Sequence, residues 1–375
     1  MFDDILSFIR RLYRKPTGFI PLHAPIFTGR EKEYLCDCID STFVSSVGKY
    51  VDQFEDMVCD FTGAARAVAV VNGTCGLTAA LGMVGVKPGD LVLTQALTFV
   101  ASANAISHTG ATPVFLDSDQ DSLGMNPDAL RTFLETHEST KGHIAACVPV
   151  HILGHACRIR EICDICEQYG IPVVEDAAEV LGSSYDGQHL GTFGTFGVLS
   201  FNGNKTITTG GGGMILSKDA ELGAHAKHMT TTAKIPHKWE FRHDEIGWNY
   251  RMPNINAALG CAQMEKLDVI LKDKRLIASA YKAFFEQSTE ATYIDAPKGC
   301  TANYWLNTIR FKSQDQRDTF LTESNDAGIM TRPLWTLMTD LPMYVNNLND
   351  GLTNARYLAA RVVNLPSSPR AEECQ

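Results

Sequence analysis

A chain of 375 residues that is 45% hydrophobic and 20% charged is long enough for two packed domains and too apolar for wholesale disorder. Its formal net charge of -10 argues against nucleic acid as a partner, because a phosphate-binding surface needs an excess of Lys and Arg. No apolar run approaches the roughly eighteen residues of a membrane-spanning helix, and the eleven cysteines, scattered through apolar stretches, read as reduced core thiols rather than a disulfide framework.

Taken in chain order, residues 1–17 are expected to form an N-terminal helical segment. Asp3 and Asp4 near its start, and Arg10, Arg11, Arg14 and Lys15 within it, are unlike a secretory signal, so a docked helix in a cytoplasmic protein is expected. Residues 18–253 are expected to make a large domain. In it the β-branched runs ARAVAVV, LVLTQA, TPVFLD, IAACVPV, IPVVED and FGVLSF alternate with amphipathic stretches such as GLTAALGMVG, ASANAISHTG and RIREICDICEQYG. That alternation predicts an α/β fold with a mostly parallel, doubly wound sheet, whose ligands sit at the carboxyl ends of the strands. Cys163 and Cys166 form a CxxC on a helix, but no second CxxC completes a zinc site, so no metal is expected. The stretch TTTAKIPHKWEFRHDEIGWNYRMPNINAALG lacks strand periodicity until a helix begins near Asn254, and reads as a binding loop. Residues 254–375 are expected to open on one long helix or two in succession and to continue as a smaller C-terminal α+β domain, with a strand around YWLNTIRF.

Chemistry concentrates where strands end. Asp176 closes the run IPVVED, where a buried acid needs a cationic partner; a protonated pyridinium is one such partner, and the alternative is a plain cap or turn residue. Lys205 follows FGVLSF and precedes the glycines 210–213, whose freedom in φ permits sharp reversal and close backbone approach. Desolvation there would favour the neutral amine that forms a Schiff base, whereas an average lysine is a solvated surface charge. The glycine run lacks the GK[ST] ending of a nucleotide P-loop. A better phosphate seat is Asn72-Gly73-Thr74-Cys75, which follows the first strand and opens a helix, and which Ser200 would complete. No G-x-G-x-x-G follows that strand, which disfavours a dinucleotide enzyme.

The ordered set NGT, TFVASANAI, EDAAEVLGS, SFNGNK, TTGGGGM and GWNYRMPNINAALG resembles the DegT/DnrJ/EryC1/StrS family of sugar aminotransferases dependent on pyridoxal phosphate (PLP). Within it, FIPLHAPIFTGREKEYLCDCIDSTFVSSVGKYVDQFE, HILGH and TRPLWTLM look like the LegC-type branch, associated with 4-keto nucleotide sugars of bacillosamine and legionaminic acid pathways. The resemblance implies a fold type I aminotransferase that works as a homodimer with shared active sites. It places Lys205 at the Schiff-base position and Asp176 at the pyridinium partner. Gly73, Thr74, Cys75 and Ser200 fall at the phosphate, Phe99 at the ring-stacking position, and Glu179 where Gln or His usually stands beside the cofactor. Asn249 and Arg251 match residues that reach across the dimer. One departure is visible: many members carry His near the lysine, where this chain has Asn202, Gly203 and Asn204.

The reaction implied is transfer of an amino group from glutamate, by way of pyridoxamine phosphate, to the C4 ketone of a nucleotide-activated hexose, with Lys205 as general base. UDP-2-acetamido-4-keto-2,6-dideoxyhexose is the expected substrate, with a dTDP or GDP sugar as the main alternative. Lys234, His237, Lys238, Arg242, Arg251 and Arg332 are the available cations for its pyrophosphate. The rival functions are a 3-keto sugar aminotransferase, a PLP-dependent sugar dehydratase, which carries His in place of the lysine, and a non-catalytic regulatory homologue.

Overall fold

The computed structural model describes residues 2–137 and 142–374. Its centre is a sheet of buried strands: β1 (Arg66–Val70), β2 (Leu91–Gln95), β3 (Thr112–Leu116), β4 (Ile144–Val148), β5 (Val174–Asp176), β6 (Phe196–Ser200) and β7 (Gly213–Ser217). One ladder runs β3-β2-β4 and another β5-β6-β7-β1. They join between β4 and β5 through parallel bridges at Cys147↔Val173 and Val150↔Asp176, with the Asp176 amide donating to the Pro149 carbonyl at 3.0 Å. The strands are apolar on both faces, as expected of a parallel sheet covered by helices on each side.

The sheet is mostly parallel, as the alternation predicts, but β7 runs antiparallel to both of its neighbours. It is not among the six runs that read as strands, because its first residue is the last of four glycines. Physical necessity makes it antiparallel: residues 201–212 return from β6 without a helix, and a parallel crossover needs one. That return carries Lys205.

The chain enters through α1 (Asp3–Leu12), α2 (Glu31–Asp40) and α3 (Lys49–Thr62). Four helices connect the parallel strands: α4 (Gly73–Met83), α5 (Val100–His108), α6 (Pro127–Thr136) and α7 (Ile159–Gln168), and α8 (Ala220–Thr230) follows β7. Two helices then come in succession, α9 (Asn254–Met264) and α10 (Leu267–Phe285). The smaller sheet has the order β8 (Ala291–Ile294), β9 (Asn307–Phe311), β11 (Val362–Leu365), β10 (Arg332–Pro333), all antiparallel, with α11 (Gln314–Asp326) and α12 (Thr353–Ala359) beside it.

Ala257, Ala258 and Cys261 of α9 pack with Tyr50, Phe54 and Val58 of α3, so α9 belongs to the core of the larger lobe. Helix α10 serves both lobes: Leu267, Ile270 and Leu271 lie in that core, while Ile277, Tyr281 and Phe285 lie in the core of the small lobe. A division at 253/254 therefore falls ahead of a helix that the large lobe holds, and we propose that the boundary lies within α10. The N-terminal segment docks on the small lobe, where the Phe2 ring meets Phe311 and Phe320 edge-on at 5.5 and 5.3 Å.

Residues 231–253 are not structureless. Lys234–Ile235 pairs antiparallel with Arg242–His243, and His228 and His225 of α8 reach Asp244 and Glu245 at 2.6 and 3.0 Å. All eleven cysteines are free thiols. Among the described residues no helix is long and apolar enough to cross a membrane.

Ile9 of α1 is fully buried in the small-lobe core. Ile9→Ala should cost about 2–5 kcal/mol, through lost burial and the cavity left behind; a chemical-denaturation midpoint unchanged from wild type would show that the segment is not part of the core.

Candidate active site

The carboxyl ends of β1, β2, β4, β5 and β6 converge on one cavity of about 350 Å³. Gly73 and Thr74 line it from the first turn of α4, Phe99 from the turn after β2, Asp176 from the end of β5 and Ser200 from the end of β6; Lys205 enters from the return to β7. Trp305 and Trp335 close it from the small lobe. The close meeting of α4 and β7 depends on glycine: a Cβ on Gly213 would stand 2.7 Å from the Asn72 carbonyl carbon, and Gly210 adopts φ +79 at the reversal.

Asp176 is 4% exposed. Its Oδ2 accepts from the Ser102 hydroxyl at 2.7 Å and its Oδ1 from the Ala178 amide at 3.1 Å. Burial raises its pKa above the ordinary carboxylate value, although these donors and the charge of Lys205 pull the other way. Among the described residues no cationic nitrogen forms an ion pair with it. A carboxylate buried on two neutral donors is thus left to meet a cation from the cavity side.

Lys205 is held differently. Its Nζ lies 3.2 Å from Glu179 Oε1 and 4.0 Å from the centre of the Trp305 ring. Glu179 Oε2 accepts the Leu153 amide at 2.7 Å, and burial raises this pKa too. The Trp305 indole nitrogen donates to the Asn204 carbonyl at 2.7 Å. Asn303 ties the arrangement together, its Nδ2 donating to the carbonyls of Glu179 and Leu181 at 2.9 Å and its Oδ1 accepting from the Trp305 amide at 2.7 Å.

Cys75 lies outside the cavity lining, its amide taken by the Asn72 cap at 2.8 Å. The loop cations lie outside it as well. Arg251 Nε donates to Asn249 Oδ1 at 3.0 Å, Arg242 pairs with Glu240 at 2.8 Å, and Lys234 sits 4.0 Å from the Phe241 ring centre. His237 Nδ1 accepts the Glu240 amide at 2.9 Å, and Arg332 donates to Asn325 Oδ1 at 2.9 Å. Lys238 lines no part of the cavity either. Ser102, Asn303, Trp305 and Trp335 are site residues that sequence reasoning misses. Ser102 stands within TFVASANAI and Trp335 within TRPLWTLM, so two of the four lie in motifs that carry the family resemblance; nothing in the sequence marks Asn303.

Residues 25–375 match the DegT/DnrJ/EryC1/StrS aminotransferase family. The chain belongs to that family. It is 37% identical, over 351 residues covering 94% of each chain, to the GDP-perosamine synthase of Escherichia coli O157:H7. Among solved structures, the aminotransferase TlmJ from Streptoalloteichus hindustanus superposes with a TM-score of 0.86 at 27% identity, over 93% of this chain and 94% of that one. Spr1654 from Streptococcus pneumoniae, solved in PLP- and PMP-forms, gives 0.84 at 24% identity, over 93% of this chain and 93% of the PLP-form and 92% of the PMP-form. The protein is a PLP-dependent sugar aminotransferase of fold type I, acting on a nucleotide-activated sugar with a separate amino donor.

The residues present suit that cofactor: an amine and an acceptor carboxylate without a cation face one cavity, with amides of a helix N-terminus at its edge. In the cofactor-free aminotransferase the raised pKa of Asp176 means that the folded state holds this proton more tightly than the unfolded chain. Its contribution to stability is full below the unfolded pKa and is lost as pH rises through the folded one. The melting temperature of cofactor-free Asp176→Asn, relative to wild type, should therefore rise from acid to neutral pH; a pH-independent difference would show that Asp176 is not desolvated.

Proposed function

We propose that the enzyme transfers the amino group of glutamate to the C4 ketone of a nucleotide-linked 4-keto-6-deoxyhexose, with the UDP-2-acetamido sugar as the first substrate to test. The observation that carries the reading is the placement of Lys205 and Asp176 in the lining of one cavity at the carboxyl edge of the sheet. Bound PLP supplies an electron-withdrawing ring that accepts the electron pair released when a proton leaves the donor's α-carbon. In this reading Asp176 holds the ring nitrogen protonated, Phe99 covers a ring face, and Gly73, Thr74 and Ser200 hold the phosphate. The Lys205 amine moves the proton. Lysine, rather than the His of the sugar dehydratases, favours amination.

The same reading makes the molecule a homodimer. Trp239, Phe241 and Ile246 are 74%, 79% and 96% exposed in the single chain, more apolar surface than one loop leaves in water without a partner. A second copy covering this face would bring Asn249 and Arg251 of one chain, neither of which lines its own cavity, toward the cavity of the other. The loop cations Lys234, His237 and Arg242, with Arg332 of the small lobe, would then meet the pyrophosphate.

A GDP sugar is the second reading, favoured by the identity to the GDP-perosamine synthase of E. coli O157:H7. Incubation of the PLP-loaded enzyme with glutamate and each keto sugar should yield 2-oxoglutarate and one amino sugar; amination of the GDP sugar alone would replace the UDP assignment. Lys205→Ala should lower turnover by at least roughly a hundredfold and remove the absorbance of a lysine-bound cofactor, while Lys205→Ala retaining both would sink the assignment of the base.

A further inference from the structure

The direct contact between Lys205 and Glu179 has a use beyond holding the cofactor. We propose that Glu179 is the proton store of the catalytic lysine, taking the proton from the Lys205 ammonium when the amine is needed neutral and returning it afterwards. The proposal rests on the PLP-dependent reading and adds a role to a residue placed beside the cofactor.

Three observations point to it. The lysine and glutamate side chains are 13% and 5% exposed, so bulk water is a poor destination for the proton, while Oε1 lies 3.2 Å from Nζ. The carboxylate cannot swing away: Oε2 is committed to the Leu153 amide, and Asn303 grips the carbonyls of residues 179 and 181. On the other side of Nζ stands the Trp305 ring, which attracts a cation but accepts no proton. The charged groups that act on Glu179 are Lys205, which favours the carboxylate, and Asp176, which favours the acid. Burial, the largest influence, favours the acid as well.

The step balances without any other reactant. An N–H bond of the ammonium breaks, an O–H bond forms on Oε1, the two charges vanish together, and the reverse happens when the amine is released. A buried ion pair is thereby replaced by a neutral hydrogen-bonded pair, which holds no charge out of water.

The test adds PLP to the cofactor-free protein and follows two signals. Absorbance reports whether Lys205 has bonded the cofactor, which is the PLP-dependent reading itself. Infrared difference spectroscopy on the wild-type protein, with isotopic labelling of glutamate carboxyls, reports whether a glutamic acid gains a proton at the same moment. A new labelled-carboxyl band is expected, and calorimetry in buffers of different ionisation enthalpy should find that wild type releases a proton fewer to solvent than Glu179→Gln. An absorbance change with no labelled band overturns the proton store and leaves the cofactor reading intact, as do equal proton counts; no absorbance change overturns both. Because the infrared arm uses wild type, it decides the matter even if Glu179→Gln fails to fold.

Discussion

The constraint on which the rest of the molecule depends is electrostatic: three largely buried ionisable groups, Asp176, Glu179 and Lys205, line one cavity. Charge in such a place is costly unless it is paired or hydrogen-bonded, and each group is supplied from a different part of the fold. Asp176 takes the Ser102 hydroxyl from α5 and an amide of its own turn. Glu179 takes an amide from the segment after β4 and the lysine itself. Lys205 has the carboxylate on one side and an indole from the small lobe on the other. Behind them Glu175, fully buried, accepts from the His151 Nε2 at 2.9 Å and from the amides of Gly191, Phe193 and Gly194. The His151 Nδ1 accepts the Cys157 amide at 3.2 Å, which leaves Nε2 as the ring's donor. The end of β5 is therefore fixed by charge on both of its faces, acid outward to the cavity and acid inward to the core.

Much of this is legible in the sequence because strand ends are. Each of the six runs that read as strands is short and apolar, so the residues at and just beyond its end are placed at the sheet edge by topology alone, and Asp176, Ser200, Gly73 and Phe99 follow from that placement. Lys205 is legible for a related reason, standing between an apolar run and a glycine run. The strand β7 is hidden by the same glycines that make Lys205 conspicuous. The partners of the three ionisable groups are not legible. Asn303 and Trp305 sit far along the chain from Glu179 and Lys205, and no local pattern announces that a side-chain amide will bridge them. Such contacts come from the docking of two lobes, and a period of two or 3.6 residues carries no information about docking.

The loop of residues 231–253 shows the opposite case. Its composition reads as that of a binding loop, and its aromatics Trp239 and Phe241 are exposed, so the motif is visible while its target belongs to another copy in the dimer reading. Here sequence locates the chemistry and misses the regularity: a small β-ladder and two His–acid pairs hold the segment to α8, which polar composition alone does not predict.

Helix α10 has a consequence for anyone who would recombine this enzyme with its relatives. Its first half is rooted in one core and its second half in the other, and midway along it Lys274, 1% exposed, donates to the carbonyls of Trp305 and Ser367 at 3.3 and 2.7 Å. The indole over the Lys205 amine is thus anchored to the joint between lobes. A chimera spliced at the polar loop before α9, where the sequence suggests a seam, would move Lys274, Trp305 and Ser367 together but graft a foreign α9 into the larger core. A splice placed after Phe285 would keep α9 and α10 whole with the parent core, but it would part Lys274 from the Trp305 and Ser367 carbonyls it holds, so the incoming small lobe must present matching acceptors.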